Sequence, residues 1–317
     1  MKKLKNKFKH IIKNLFNNIK YNKYYKISSK NINGIAADVI RLTHSIEKGL
    51  TLQNVKLGYG HEKQKEIISM ISIIEDEESC YCKEAIKMAV NAINQYIEYH
   101  KIKKYSDDYF SELEKFVDIH RSYLEPNYGG TKNLRREELQ FNEEEINHFF
   151  NTRHSIRDFA QKPIDEELIR KAIELAQTAP SACNRQAYRC YVIDKSKADN
   201  LKMWLSGVGG FADKLDKIIL VTGKTSAYRY NENYQYVVSA SIFAAYLSLT
   251  LHLYGIGSCV IQRPVVWTKG WDNIRKEYKI DNDEQIVVCL GIGMLKENTT
   301  VPISHRININ EICKFIK

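Results

Sequence analysis

The chain has 317 residues, 44% hydrophobic and 27% charged, which is enough apolar material for a full core and for more than one folding unit. Its formal net charge is +10, yet ten lysines from Lys2 to Lys30 precede the first acidic residue, Asp38, leaving 38 basic residues against 38 acidic ones in the rest. A neutral body excludes the broad basic surface of a nucleic-acid binder, and no uninterrupted apolar run has the length of a transmembrane helix, so none is expected.

Residues 1–34 read as a basic tail. Leu4, Phe8, Ile11, Ile12, Leu15, Phe16 and Ile19 fall at helical steps opposite a face of Lys and Asn. Interruption of the apolar residues by Lys and Asn argues against a secretory signal. A basic amphipathic helix over residues 1–26 suits an anionic membrane surface; packing on the body or disorder is the alternative. Seven scattered cysteines without a CxxC pair indicate reduced thiols and no zinc site, and place the protein in the cytoplasm, with the tail as a route to the inner face of the membrane.

Residues 35–141 read as a helical domain of unassigned role, with helices expected over 36–42, 62–75, 82–99 and 107–123. The peptide 41–50 gathers Arg41, His44, Glu47 and Lys48 before Gly49; it is either a polar site or a helix surface ending at a glycine. The run Glu125-Pro-Asn-Tyr-Gly-Gly130 is the strongest break in the chain, and the domain boundary falls in 125–142.

Beyond it, helices and strands alternate. Asn142 and Glu145 have the spacing of a capping box for a helix ending near 151. A second helix over 165–177 carries three acidic residues in its first turn. Strands are expected at 189–193, 218–222, 259–261 and 286–291, with a helix at 197–205 and a long apolar helix at 234–254.

Four segments of this half carry chemistry. Arg153-His154-Ser155-Ile156-Arg157 packs two guanidiniums and a hydroxyl into five residues, a set suited to a phosphate. Ala179-Pro180-Ser181-Ala182-Cys183-Asn184-Arg185-Gln186 is rich in small and amide residues able to meet the edge of a planar heterocycle. Tyr254-Gly255-Ile256-Gly257 turns a helix into a strand ending Val260-Ile261-Gln262. Leu290-Gly-Ile-Gly-Met294 precedes Ser304-His305-Arg306.

In this order the four segments resemble the nitroreductase family over roughly residues 148–317. The resemblance implies an α+β fold over 142–317, a mixed central sheet flanked by helices and dimeric, preceded by the all-helical domain. It implies FMN held by Arg153, His154, Ser155, Arg157 and Arg306, with Arg153 and Ser155 toward the phosphate and Arg157 toward the ring. Pro180, Ser181, Ala182, Asn184 and Gln186 would cross to the flavin of a homodimer partner, and Val260, Ile261 and Gln262 would approach the ring carbonyl and redox nitrogen. Tyr228, Tyr230 and Tyr234 fall where the family places a mobile wall over the flavin. Ala187-Tyr188 departs from the Pro-Trp that often follows the Gln, and Ser304 departs from the first of two basic residues.

The implied activity is transfer of reducing equivalents from NADH or NADPH to a small aromatic or conjugated acceptor of the nitro or quinone type. The flavin carries the chemistry, so no catalytic side chain and no metal is called for. Two alternatives stand beside it: a membrane-peripheral flavin-binding protein without turnover, and a flavin enzyme of different outcome, a dehydrogenase or a flavin-cleaving enzyme.

Overall fold

Asn31 begins the first well-formed element of the computed structural model, which describes residues 31–316 except 203, 204, 206 and 262–268, together with Phe8, Ile11, Ile12, Leu15 and Ile19. Its side chain accepts the Gly34 N–H at 3.1 Å and caps helix α1 (Ile32–Leu50), which runs eight residues past the expected end at 42. Small residues let α1 lie flush on the later part of the chain. A Cβ at Gly34 would come within 2.9 Å of the Ser226 carbonyl oxygen. Ala37 belongs to the apolar cluster of the sheet, whereas Ile35, Val39, Ile40 and Ile46 join the core of the helical half.

That core is completed by α2 (His61–Ile74), α3 (Cys80–Ile102) and α4 (Phe110–Ile119), whose buried residues recur at steps of three and four. The polar peptide 41–50 lies inside α1, and its contacts are structural. His44 and Glu47 are 3.2 Å apart, and the other Glu47 oxygen accepts the Gly130 N–H at 3.0 Å, tying the 125–130 break to the helix. Gly49 lies inside α1, where a Cβ would strike the Tyr59 ring.

The second half opens with α5 (Glu143–Thr152), capped by Asn142 through the N–H groups of Glu144 and Glu145, and continues with α6 (Glu166–Ala176), capped by Asp165. Four strands follow: β1 (Tyr188–Asp194), β2 (Lys217–Lys224), β3 (Ile256–Ile261) and β4 (Glu284–Met294), in the order β1-β2-β4-β3. All their pairings are antiparallel; the parallel component is confined to an isolated bridge between Ser155 and Ser258. β2 reads as a continuous apolar run because both sheet faces are covered: Ile219 and Val221 join one cluster, Ile218 and Leu220 another.

Helix α7 (Gln235–Leu253) packs one side against the sheet and α6. By length and composition alone α7 is apolar enough to cross a membrane, its serines and threonine interrupting the apolar run without adding charge, and half of it is buried inside the fold. Helix α8 (Lys269–Glu277) precedes β4, and residues 302–316, which hold a short helical turn at Ile309–Ile312, form an arm exposed throughout.

Candidate functional site

The 153–157 segment is held against the sheet by backbone pairing. Ile156 N–H donates to the Ser258 carbonyl at 2.9 Å and Ala160 N–H to that of Met294 at 2.9 Å. Glycines make the approach feasible: a Cβ at Gly257 would meet Ile156 at 3.2 Å, and one at Gly293 would meet the Phe159 ring at 2.6 Å. Gly255, at φ +70°, turns α7 into β3, a conformation that glycine adopts without strain. Asp158 fixes the far side through Lys296 at 2.6 Å and Lys214 at 3.2 Å, bonds that hold its carboxyl below the usual range.

This stitching presents cations at one edge. Arg157 lies near Cys259, where its charge partly offsets the upward push of burial on the thiol. Arg153 and His154 gather at the C-terminal end of α7 around His252, whose Nε2 lies 3.0 Å from the Thr152 hydroxyl. Burial, reinforced by the charges of Arg153, His154 and His148, keeps His252 below its ordinary pKa. Among the described residues, no carboxylate pairs with Arg153, Arg157 or Arg306. Those guanidiniums and the Ser155 hydroxyl fit a phosphate group.

The 181–186 segment lies at the other end of α7. Ala182 N–H donates to the Ser239 hydroxyl at 3.2 Å, and Gln186 N–H to that of Ser181 at 3.0 Å. Cys183, Asn184 and Gln186 all adopt positive φ, between 47° and 53°, so the turn is tightly wound without a glycine. Pro180 and Asn184 are exposed, and Ser181, Ala182 and Gln186 are half-buried. From Ser239 to His252 is about 20 Å along the helix axis, so one chain holds the two parts of the expected site apart.

Arg185 holds the turn. Fully buried, it donates Nη1 to the Ala227 carbonyl at 2.8 Å and to Glu232 at 2.9 Å, and its Nη2 to the other Glu232 oxygen at 2.5 Å. Burial works against the Glu232 carboxylate, but the bonds from Arg185 and the Arg229 N–H outweigh it and hold this acid below its usual range. The guanidinium covers the Tyr228 ring at 4.4 Å. Tyr228 is therefore corrected from a wall residue to a core residue: it is fully buried, with its hydroxyl 3.1 Å from that of Ser239. Tyr230 and Tyr234 are exposed.

Val260 is exposed at the end of β3, Ile261 is buried, and Gln262 lies outside the described residues. Arg306 stands on the exposed arm, bonded to the Ser304 carbonyl at 2.5 Å. Two features escaped the sequence reading. Tyr81 of α3 donates to the Arg185 carbonyl at 2.6 Å, and α1 packs on both the 182–184 turn and the 225–227 turn. The run Gly34-Ile-Ala-Ala37 was the available signal, since small residues on one helix face mark a close backbone approach. A cleft of about 600 Å³ also separates α1 and α3 from the β1 edge, with Tyr81, Gln186, Tyr188 and Arg189 in its wall.

Residues 151–235 match the family described as the Nitroreductase family. The match to that family is confined to this segment. Within the curated proteins, a "Putative NAD(P)H nitroreductase" of Streptococcus pyogenes serotype M6 is 44% identical over 50 residues, 16% of this chain; the match spans only 25% of that relative's length. An FMN-dependent nitroreductase from Clostridium difficile is 26% identical, covering 49% of this chain and 90% of its own, at a TM-score of 0.42. A nitroreductase family protein from Streptococcus pneumoniae is 20% identical, covering 54% and 100%, at 0.45. The nitroreductase match takes in Arg153, Ser155, Arg157 and the 181–186 turn but not Arg306.

Proposed function

We propose that the protein is an FMN-dependent oxidoreductase that takes reducing equivalents from NADH or NADPH and passes them to a small aromatic or conjugated acceptor. The observation that carries this reading is the pair Arg153 and Arg157, fixed on the β3 edge by backbone bonds and free of carboxylate partners within the nitroreductase segment. Unpaired guanidiniums held in place suit a bound anion, whereas Arg185, equally basic, is committed to Glu232.

FMN, when bound, supplies hydride acceptance and donation. The chain's own part is to bind and orient. Arg153 and Ser155 take the phosphate end, Arg157 faces the ring edge beside Cys259, and Val260 and Ile261 bring the end of β3 toward the ring. The 181–186 turn and Arg306 come from a second copy. The names of the Streptococcus pyogenes and Clostridium difficile relatives support the nicotinamide donor and the flavin respectively.

Charge-assisted bonds contribute about 1.5–3 kcal/mol each, so loss of one arginine weakens flavin binding roughly tenfold or more. Arg153→Ala combined with Arg306→Ala should yield a folded protein without flavin absorbance and without anaerobic bleaching by NADH or NADPH. Full flavin occupancy in that double variant would overturn the assignment.

A further inference from the structure

The function proposed above makes no use of the N-terminal segment, which holds all of the net charge. Ten lysines stand before Asp38 with no acidic residue among them, while the rest of the chain is balanced. The five described positions of this segment, Phe8, Ile11, Ile12, Leu15 and Ile19, are all helical and between 42% and 67% exposed. They fall at steps of three, one, three and four, so they share one face of a helix. The described part of the apolar stripe faces solvent, and the sequence sets it beside a charge of one sign.

From these observations we propose that the stripe from Leu4 to Ile19 lies on an anionic lipid bilayer, apolar face in the headgroup boundary and lysines against the lipid charges. Charge complementarity selects this occupant. A second copy would bring ten further positive charges against the first ten, and the neutral body has no acidic excess to receive them. A free polyanion would satisfy the lysines but leave Phe8, Ile11 and Leu15 in water. A bilayer bearing phosphatidylglycerol meets both needs at once.

The test uses the full-length chain and co-sedimentation with vesicles. The native protein should bind vesicles of phosphatidylglycerol and phosphatidylcholine, fail to bind phosphatidylcholine alone, and come off as salt is raised. Each lysine near the surface strengthens binding roughly fivefold, so Lys5→Gln, Lys7→Gln, Lys9→Gln and Lys13→Gln together should abolish it. Ile11→Asn, Ile12→Asn and Leu15→Asn together keep every charge and should also abolish it, because these exposed side chains hold no core together. Absence of binding by the native protein, equal binding to neutral vesicles, or undiminished binding by the asparagine variant would each overturn the proposal. The flavin content of all three proteins should be the same, which separates this result from the fate of the flavin reading.

Discussion

Arg185 is one letter in the string 179–186, and nothing in its neighbours shows that it is the most committed residue there. Its partner Glu232 is 47 residues away, and a pair so distant in sequence becomes visible only when the turn and the 225–232 segment are folded together. Glu232→Gln leaves a guanidinium buried without its counter-charge, a change that costs about 3–5 kcal/mol in fully buried pairs. Glu232 keeps partial contact with water, which sets the expectation near the lower end, about 3 kcal/mol, read as a shift in urea midpoint at unchanged slope. Cys183 provides the opposite case. At φ 50° it holds a conformation that disfavours side chains with a Cβ, so Cys183→Gly should be neutral or stabilise by up to about 1 kcal/mol in the same assay. The 153–157 segment stood out in the sequence because its chemistry is local: two guanidiniums and a hydroxyl within five residues suit an anion in almost any backbone setting. Tyr228 was not, because the face a tyrosine presents depends on what covers it.

Helices were read well where their apolar period is strong and poorly where polar residues interrupt it. The signals at Asn142 and Asp165 gave the starts of α5 and α6, since a side-chain cap is a property of two or three adjacent residues. The end of α1 was missed because Arg41 to Lys48 reads as a polar cluster, although Glu47 is there to hold the Gly130 N–H. His100 on α3 shows how the helical half depends on one proton. Its Nδ1 bonds to the Tyr96 carbonyl at 2.8 Å, so Nε2 accepts the Gly58 N–H at 3.2 Å and the ring is neutral. Burial keeps its pKa below the ordinary value. The unfolded chain therefore takes up this proton first. The stability due to the neutral ring is complete above about pH 6.5 and is lost as pH falls through that value toward the folded pKa. Urea unfolding at about pH 7.5 and about pH 5 should show a drop on acidification that His100→Gln reduces. An equal drop in that variant would move the effect elsewhere, with His252, also depressed, as the next group to replace. Where α1 meets the 225–227 turn, Gly34→Ala should destabilise by about 1–3 kcal/mol, the usual effect of forcing a methyl into a filled contact.

On the scale of the whole molecule, the order of four segments was enough to give the α+β half, while joining them into one flavin site through a second copy belongs to the proposed function. Along α7, Ser239 contacts the 181–186 turn and His252 contacts the 152–154 segment, about 20 Å apart. The surface that would join two copies is apolar and uncovered. Val238, Tyr246 and Leu253 face outward on α7, Ile146 and Phe150 do so on α5, and the 302–316 arm carries Ile303, Phe315 and Ile316 almost fully exposed. Exposed apolar residues of this kind suit the contact that the proposed dimer needs. If each flavin takes Arg153 and Arg157 from one protomer and the 181–186 turn from its partner, two defective chains should repair one another. Arg153→Ala with Arg157→Ala disables one half-site; Asn184→Ala with Gln186→Ala disables the other. Each variant alone should form colourless dimers. Mixed after reversible dissociation, they should regain flavin at one native site per mixed dimer, roughly a quarter of all sites for random pairing. Absorbance of the mixed sample, with subunit exchange verified by mass, decides the matter. No recovery in exchanged dimers, or flavin retained on a monomer, would mean that each chain builds its site alone despite the length of α7 between its parts.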